Sequence, residues 1–403
     1  MHGDFPSSNG RHDLAARDWQ GVRAGFFRGA SDIHAIHDEM RALAPVWRAP
    51  WDDVYVSRYD LVSAGLADRA LSHVPPGDGA MLERTALHDW LMYQEGEAHA
   101  AIRQSLQQPF VGKGIAALRP VVAEAVDAFV ANVQTEGEID VVAAFTRAVP
   151  EQVICRLLGV PATDMPLLRG WSASVRAILD TGFDDAFSGE PDAIEAMSDY
   201  FTGLARRLLA DGDLPPLLAG LPGLVEALGI EVAGRNLAFL AFAGHETTVH
   251  LLGNMLHHLA QTPEAWRALG ADRRLVTAAI AETLRLESPV QKICRWPLRP
   301  VELAGESIEE GSLIVLLIGA ANRDPAQFAD PARFDLGRAG RQNLAFGRGA
   351  HVCIGRALAE MEGTMVLGAL LDRWRAIEPV ATDWMDNSSI RGLDRLVLRA
   401  SPA

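Results

Sequence analysis

Residues 346–355 read Phe346-Gly347-Arg348-Gly349-Ala350-His351-Val352-Cys353-Ile354-Gly355, one cysteine set between glycines directly ahead of a long helix-forming stretch. The pattern reads as a thiolate ligand to haem iron. Glycines at 347 and 349 let the backbone turn tightly under a flat cofactor and aim amide N–H groups at the sulfur, and Gly355 lets a following helix approach closely. A helix over 356–375 would begin beside Cys353. Its positive end, with Arg348 and Arg356, would favour the thiolate, the form a metal requires. The competing reading is a buried structural cysteine in a glycine-rich turn.

Upstream lies Ala243-Gly244-His245-Glu246-Thr247-Thr248, inside a helical stretch over 231–259 that is apolar on nearly every face. Such a helix belongs in the middle of a protein. Gly244 costs it roughly 1 kcal/mol relative to alanine, and Glu246 would be costly to bury unpaired. Two local violations beside a hydroxyl suggest a functional groove. The missing side chain at 244, next to Ala243, leaves room for a small ligand over a metal, Thr247 can point its hydroxyl into the same space, and Glu246 could feed protons inward. A kinked helix with satisfied polar groups is the alternative, and His245 reads as a surface or hydrogen-bonded residue. Between this helix and the cysteine come Glu282 and Arg285, an i, i+3 pair on a helix over 272–286, and then Asn322-Arg323-Asp324-Pro325. A buried Glu282–Arg285 pair meeting an arginine from 333–338 would clamp the loop that carries Cys353, a structural role.

The remaining composition narrows the class. The 403 residues carry 37 Lys+Arg against 52 Asp+Glu, a net charge of −15, which argues against a nucleic-acid partner or an anionic membrane surface. Half the chain is hydrophobic, enough to enclose a cofactor. No Gly/Ser or Pro-rich linker divides it, so one domain over 1–403 is expected, with a short polar segment over about 1–30. Cys155, Cys294 and Cys353 are an odd set without C-x-x-C spacing, which fits neither a disulfide framework nor a zinc site. The polar start of the chain and the lack of an apolar run near the ~18 residues of a membrane span predict a soluble, cytoplasmic protein. Helical periodicity recurs over 116–135, 141–158, 163–180 and 192–209, with Ser31 and Thr163 as N-caps. Strand-like runs are 53–59, 291–296, 312–317 and 393–398. The fold is therefore read as mainly α with small β-sheets. The breaker-rich stretch 70–93 reads as a functional loop.

Together these residues resemble the cytochrome P-450 family, the soluble bacterial haem-thiolate monooxygenases, from about residue 36 to 397. The segment 346–355 matches F-G-x-G-x-H-x-C-x-G at every fixed position, with Phe346, Gly347, His351, Cys353 and Gly355 among the fixed residues. Ala243-Gly244-x-Glu246-Thr247 matches the oxygen-activating motif, Glu282 and Arg285 the E-x-x-R pair, and 321–325 with Phe334-Asp335 the approach to the haem loop. The resemblance implies haem b lying between the acid-threonine helix and the helix after the cysteine loop. His99 and Arg103 would meet its propionates, joined by Arg295 and His351. Two departures stand out: Glu95-Gly96-Glu97-Ala98 where the family often has Asp-Pro-Pro-Glu, and Trp296-Pro297 after Arg295 where a small residue is usual.

The implied reaction puts one atom of O2 into an organic substrate by hydroxylation or epoxidation, in secondary metabolism or small-molecule catabolism. Electrons would come from NAD(P)H through a separate reductase and a ferredoxin or flavodoxin, because the chain has no dinucleotide fingerprint. By the same resemblance the substrate pocket draws on 70–93, 168–183, Leu240, Ala243, 289–291 and 387–390. Arg84, Tyr93, Arg176 and Gln291 lie among these segments, so a medium-sized molecule with one polar or anionic group is expected. Haem-dependent coupling or desaturation, and a catalytically silent haem-protein scaffold, are the other readings.

Overall fold

The helix Ile230–Gln261 runs 32 residues and is buried along most of its length. In a computed structural model of the chain, residues 33–76, 85–130, 133–181, 191–338 and 342–403 are described. The Ser31 cap, Arg84 and the segment 1–30 lie outside them. The helices Pro191–Asp211, Ala148–Leu158, Val276–Leu286 and Arg356–Arg373 all pack on this central helix. That packing explains its all-round apolar pattern, and its contacts form the largest core cluster.

Two smaller apolar clusters lie on the two faces of a five-stranded sheet. Its order is Val46–Arg48, Val54–Val56, Ile314–Leu317, Lys292–Pro297 and Leu71–Ser72, with only the second and third strands parallel. A three-stranded sheet joins Gly137–Asp140, Leu393–Pro402 and Trp374–Trp384. Strand Trp374–Trp384 is not legible as a strand in the sequence, and it ends the predicted 356–375 helix two residues early. Its pairing with Leu393–Pro402 supplies what its pattern lacks, since tertiary context overrides weak β propensity.

Other boundaries shift for local reasons. The periodic segment 141–158 divides into a π-helical turn, Val142–Thr146, and the helix Ala148–Leu158. Pro150 lacks the amide that would bond the carbonyl four residues back, so the ladder is interrupted there. Thr163 is not a cap. It lies in a 3₁₀ turn and donates to the Asp164 carboxylate at 3.0 Å, while the helix begins at Met165.

Candidate active site

The cysteine loop is shaped by its glycines and by neighbours on both sides. Gly347 and Gly349 have φ of 70° and 74°, a region other residues avoid. A Cβ on Gly349 would also lie 3.0 Å from Cα of Ala67, so the loop is seated against the helix Tyr59–Ala67. The Cys353 amide donates to the Phe346 carbonyl at 2.9 Å. Cys353 is accessible only in the sense that it lines a deep cavity of about 1180 Å³. That volume exceeds the ~300–1,000 Å³ of a typical small-molecule site, leaving room for a flat cofactor beside an organic molecule.

The electrostatics of the sulfur differ from the sequence expectation. Burial pushes the thiol up, against which act the amides of Gly355 and Arg356 and the charges of Arg103 and Arg356. Arg348 takes no part: it bonds the Ser63 hydroxyl and, at 3.2 Å, Gln342. Arg356 is held by Glu360 at 2.9 Å and lies over the Phe346 ring. The amides do aim at the sulfur, but the arginine that matters most is Arg103, from the helix Gly96–Gln107. In the absence of a cation on the sulfur the site favours the thiol; a ligated iron would reverse that.

Two arginines and two histidines occupy one side of the cavity. Arg295, His351, Arg103 and His73 line it. Arg295 is buried with its Nε lacking a partner, and its Nη1 donates to the Cys294 carbonyl at 2.8 Å. Arg103 donates to the Val352 carbonyl at 2.9 Å, which ties it to the residue before the cysteine. The ring of His99 packs against His351, with centroids 4.3 Å apart, and its Nε2 is buried without a partner. Burial, then neighbouring cations, lowers His351 to about 3, and burial lowers Arg295 to about 10. The two histidines are therefore neutral, while Arg295 and Arg103 are costly to enclose unless anions meet them, and the two propionates of haem are anions of the right kind. The residues present therefore fit a haem.

The opposite wall comes from the central helix, which presents Ala243, Gly244, Thr247 and Thr248 to the cavity. A Cβ on Gly244 would sit 2.6 Å from Ile154 Cδ1, so the glycine also admits the helix Ala148–Leu158. Thr247 donates its hydroxyl to the Ala243 carbonyl at 3.1 Å. Glu246 is absent from the cavity lining. It is buried and meets Arg176, His250 at 3.3 Å and His245 at 3.7 Å. Burial alone would raise this carboxyl, but the His250 hydrogen bond and the charges of His250, Arg176 and His245 outweigh it and hold it at about 2. His245 is buried and bonds the Ala241 carbonyl at 2.6 Å.

Glu282 and Arg285 are both buried and joined by two 2.8 Å bonds. Arg285 also donates to the carbonyls of Asn322, Pro331 and Arg333. Glu282 accepts from the Asp335 amide and from Arg338, both at 3.1 Å. One buried pair thereby holds 322–338, and Asn322 in turn bonds the Leu344 amide at 2.7 Å, two residues before Phe346.

The distal walls are largely apolar: Leu87, Leu91, Phe239, Leu240, Val290 and Ile390. Gln291 precedes the strand and does not line the cavity; it bonds the Ser288 carbonyl at 2.7 Å beside Gly319. Lys292 lines the cavity instead and donates to Ser388 at 2.8 Å, which donates to Asp180 at 2.6 Å. Trp296 is buried, pairs with Ser72 and lines the cavity, as does Tyr93. Sequence reading also missed Glu362, whose carboxyl borders the cavity, lacks a partner at Oε2 and is pushed well up by burial. The signal available was a glutamate seven residues after Gly355, on the same helix face.

A family model described as Cytochrome P450 matches residues 226–393. The biotin biosynthesis cytochrome P450 of Bacillus subtilis is 30% identical over 361 residues, covering 87% of this chain and 91% of that one. The cytochrome P450 monooxygenase PikC of Streptomyces venezuelae is 32% identical, covering 92% and 91%. Among solved structures, P450BioI in complex with an acyl carrier protein ligated to hexadec-9Z-enoic acid superimposes with a TM-score of 0.84 at 27% identity, covering 92% of this chain and 98% of that one. The enzyme CxnD, for C–S bond formation in chuangxinmycin biosynthesis, gives 0.83 at 28% identity, covering 94% and 97%.

Proposed function

This chain belongs to the cytochrome P450 family, and from that premise we propose that it inserts one oxygen atom into a medium-sized, largely apolar organic molecule carrying one polar or anionic group. One observation carries the reading. The Cys353 sulfur opens into the same cavity that Ala243, Gly244 and Thr247 wall from the other side, with Arg295, Arg103 and His351 along its flank. A flat dianionic cofactor would be ligated, capped and neutralised by those groups together.

Cys353 is the proposed axial ligand, Phe346, Gly347 and Gly355 shape its loop, and Glu282 with Arg285 keeps that loop in place. When bound, haem supplies activation of O2 and transfer of one oxygen atom to the substrate. Ala243 and Gly244 leave space on the distal side. Thr247 spends its hydrogen on the Ala243 carbonyl and keeps its oxygen lone pairs for a donor in the cavity. Glu246 is the proposed proton relay on the flank: Arg176 and His250 hold it ionised, and on turning from them it would take a proton from the solvent side, where Arg176 is partly exposed, and release it toward the cavity. The distal apolar walls select an organic substrate, and Lys292, hydrogen-bonded to Ser388, offers its polar group a partner. Electrons come from NAD(P)H through a separate reductase and a ferredoxin or flavodoxin. The setting is cytoplasmic, in secondary metabolism or small-molecule catabolism; no described helix is long and apolar enough to cross a membrane.

The test is the visible spectrum of reduced protein under carbon monoxide, for the parent and for Cys353→Ser. A strongly red-shifted Soret band in the parent, lost in the variant, is expected; the same spectrum in both would overturn the assignment. Titration of the oxidised parent with aromatic, polyketide-like and terpenoid compounds should then give a low-to-high-spin shift for the substrate class.

A further inference from the structure

Two histidines line the cavity on the side of Arg295 and Arg103, His351 and His73, and the second is one that the sequence motifs do not mark. We propose that His73 is a further propionate-binding residue, added to those the sequence pattern marks. This inference rests on the haem reading above.

Three elements bring His73 there. Strand Leu71–Ser72 pairs antiparallel with Lys292–Pro297, Ser72 opposite Trp296, and continuing that register sets His73 beside Arg295. Its amide donates to Glu95 at 2.8 Å, which pins residue 73 to the residue preceding the helix that carries His99 and Arg103. Its ring stacks on His351, centroids 3.4 Å apart and planes 26° from parallel. His73 and His351 both line the cavity. Burial first, then Arg295, His351 and His99, lowers His73 to about 2, so its imidazole is neutral there. Nε of Arg295 and Nε2 of His99 are buried close by without a hydrogen-bond partner. A neutral imidazole can donate to a carboxylate and still stack on its neighbour.

A packing role for the ring and a propionate role predict different results. Holoenzyme and the His73→Phe variant, which keeps a flat ring but loses the N–H, are each loaded with haem and with haem dimethyl ester, and transfer of the group to excess apomyoglobin is timed. Loss of a hydrogen bond to a charged group corresponds to about tenfold faster haem release. The phenylalanine variant should show that acceleration with haem and none with the ester. Equal rates with haem, or equal acceleration with both groups, would overturn the proposal. Should His73→Phe fail to load, the smaller His73→Ala, which also lacks the donor, is used, and resonance Raman of the propionate bending band decides instead: a shifted band supports the contact and an unmoved band overturns it. A thiolate-type carbonyl spectrum in parent and variants keeps the haem reading separate from the fate of His73.

Discussion

Thr247 and Glu246 are neighbours in sequence but face different surroundings, and their variants should fail differently. Thr247 lines the cavity, and removing its hydroxyl leaves haem contacts and substrate walls untouched. Thr247→Ala should therefore keep haem content and the substrate-induced spin shift while product formed per NADPH consumed falls several-fold and peroxide rises. Unchanged coupling would remove Thr247 from the proton path. Glu246 answers to a different measurement. With its carboxyl at about 2, below the ordinary 4.5, it adds stability that is complete above pH 4.5 and lost as pH falls toward 2. Arg176→Met removes one of the charges responsible. The variant should be less stable than the parent by about 1–3 kcal/mol in urea at pH 7, and the gap should narrow steadily below pH 4.5. A gap independent of pH would mean that Arg176 stabilises by packing alone. At this scale the sequence was most legible where function is written in contiguous residues: the cysteine loop and the acid-threonine pair are local patterns whose glycines and hydroxyl announce themselves. His73 was not legible, because a lone histidine acquires its neighbours only through the sheet register that sets it beside Arg295.

Among the elements, the Glu282–Arg285 pair shows how an ordinary i, i+3 contact becomes structural. An exposed pair of this kind adds only ~0.2–0.5 kcal/mol. Here the arginine is about 2% exposed and uses its planar fork on a carboxylate and three carbonyls of 322–333 at once. Lysine carries the charge but cannot supply that number of directed donors. Arg285→Lys should therefore leave much of the chain as haem-free or insoluble protein, a loss of about 3 kcal/mol or more, read as the haem-to-protein ratio after purification. Normal haem content in the variant would show that the loop holds itself. The order of motifs pointed to this clamp, but its partners, Asn322, Pro331 and Arg333, are backbone carbonyls that no residue type reveals. Strand Trp374–Trp384 was hidden for a related reason. Its alternation is poor, and it exists because Leu393–Pro402 offers it a ladder of hydrogen bonds.

Across the whole molecule, one cavity spans from the cysteine loop to the sheet and the late turn, and its walls come from segments hundreds of residues apart. Asp180, Ser388 and Lys292 link three of those walls, the helix Met165–Thr181, the turn after Trp384 and the strand Lys292–Pro297. Lys292 is one of only two lysines in a chain that otherwise carries its positive charge on arginine. An ammonium on the cavity wall discriminates between ligands, because a ligand carboxylate gains a charged partner while a neutral isostere gains none. Lys292→Met preserves the length and the apolar stem. It should weaken spin-shift binding of carboxylate-bearing ligands about tenfold, equivalent to ~1.4 kcal/mol, and leave their methyl esters within about twofold, since such an ester contact is worth only a few tenths of a kcal/mol. Equal weakening of acid and ester would place the effect in the Asp180–Ser388 link, as a loosening of the distal wall, and would remove the anionic group from the substrate description. Equal strength in both would take Lys292 out of recognition and leave the apolar walls to select the substrate by shape.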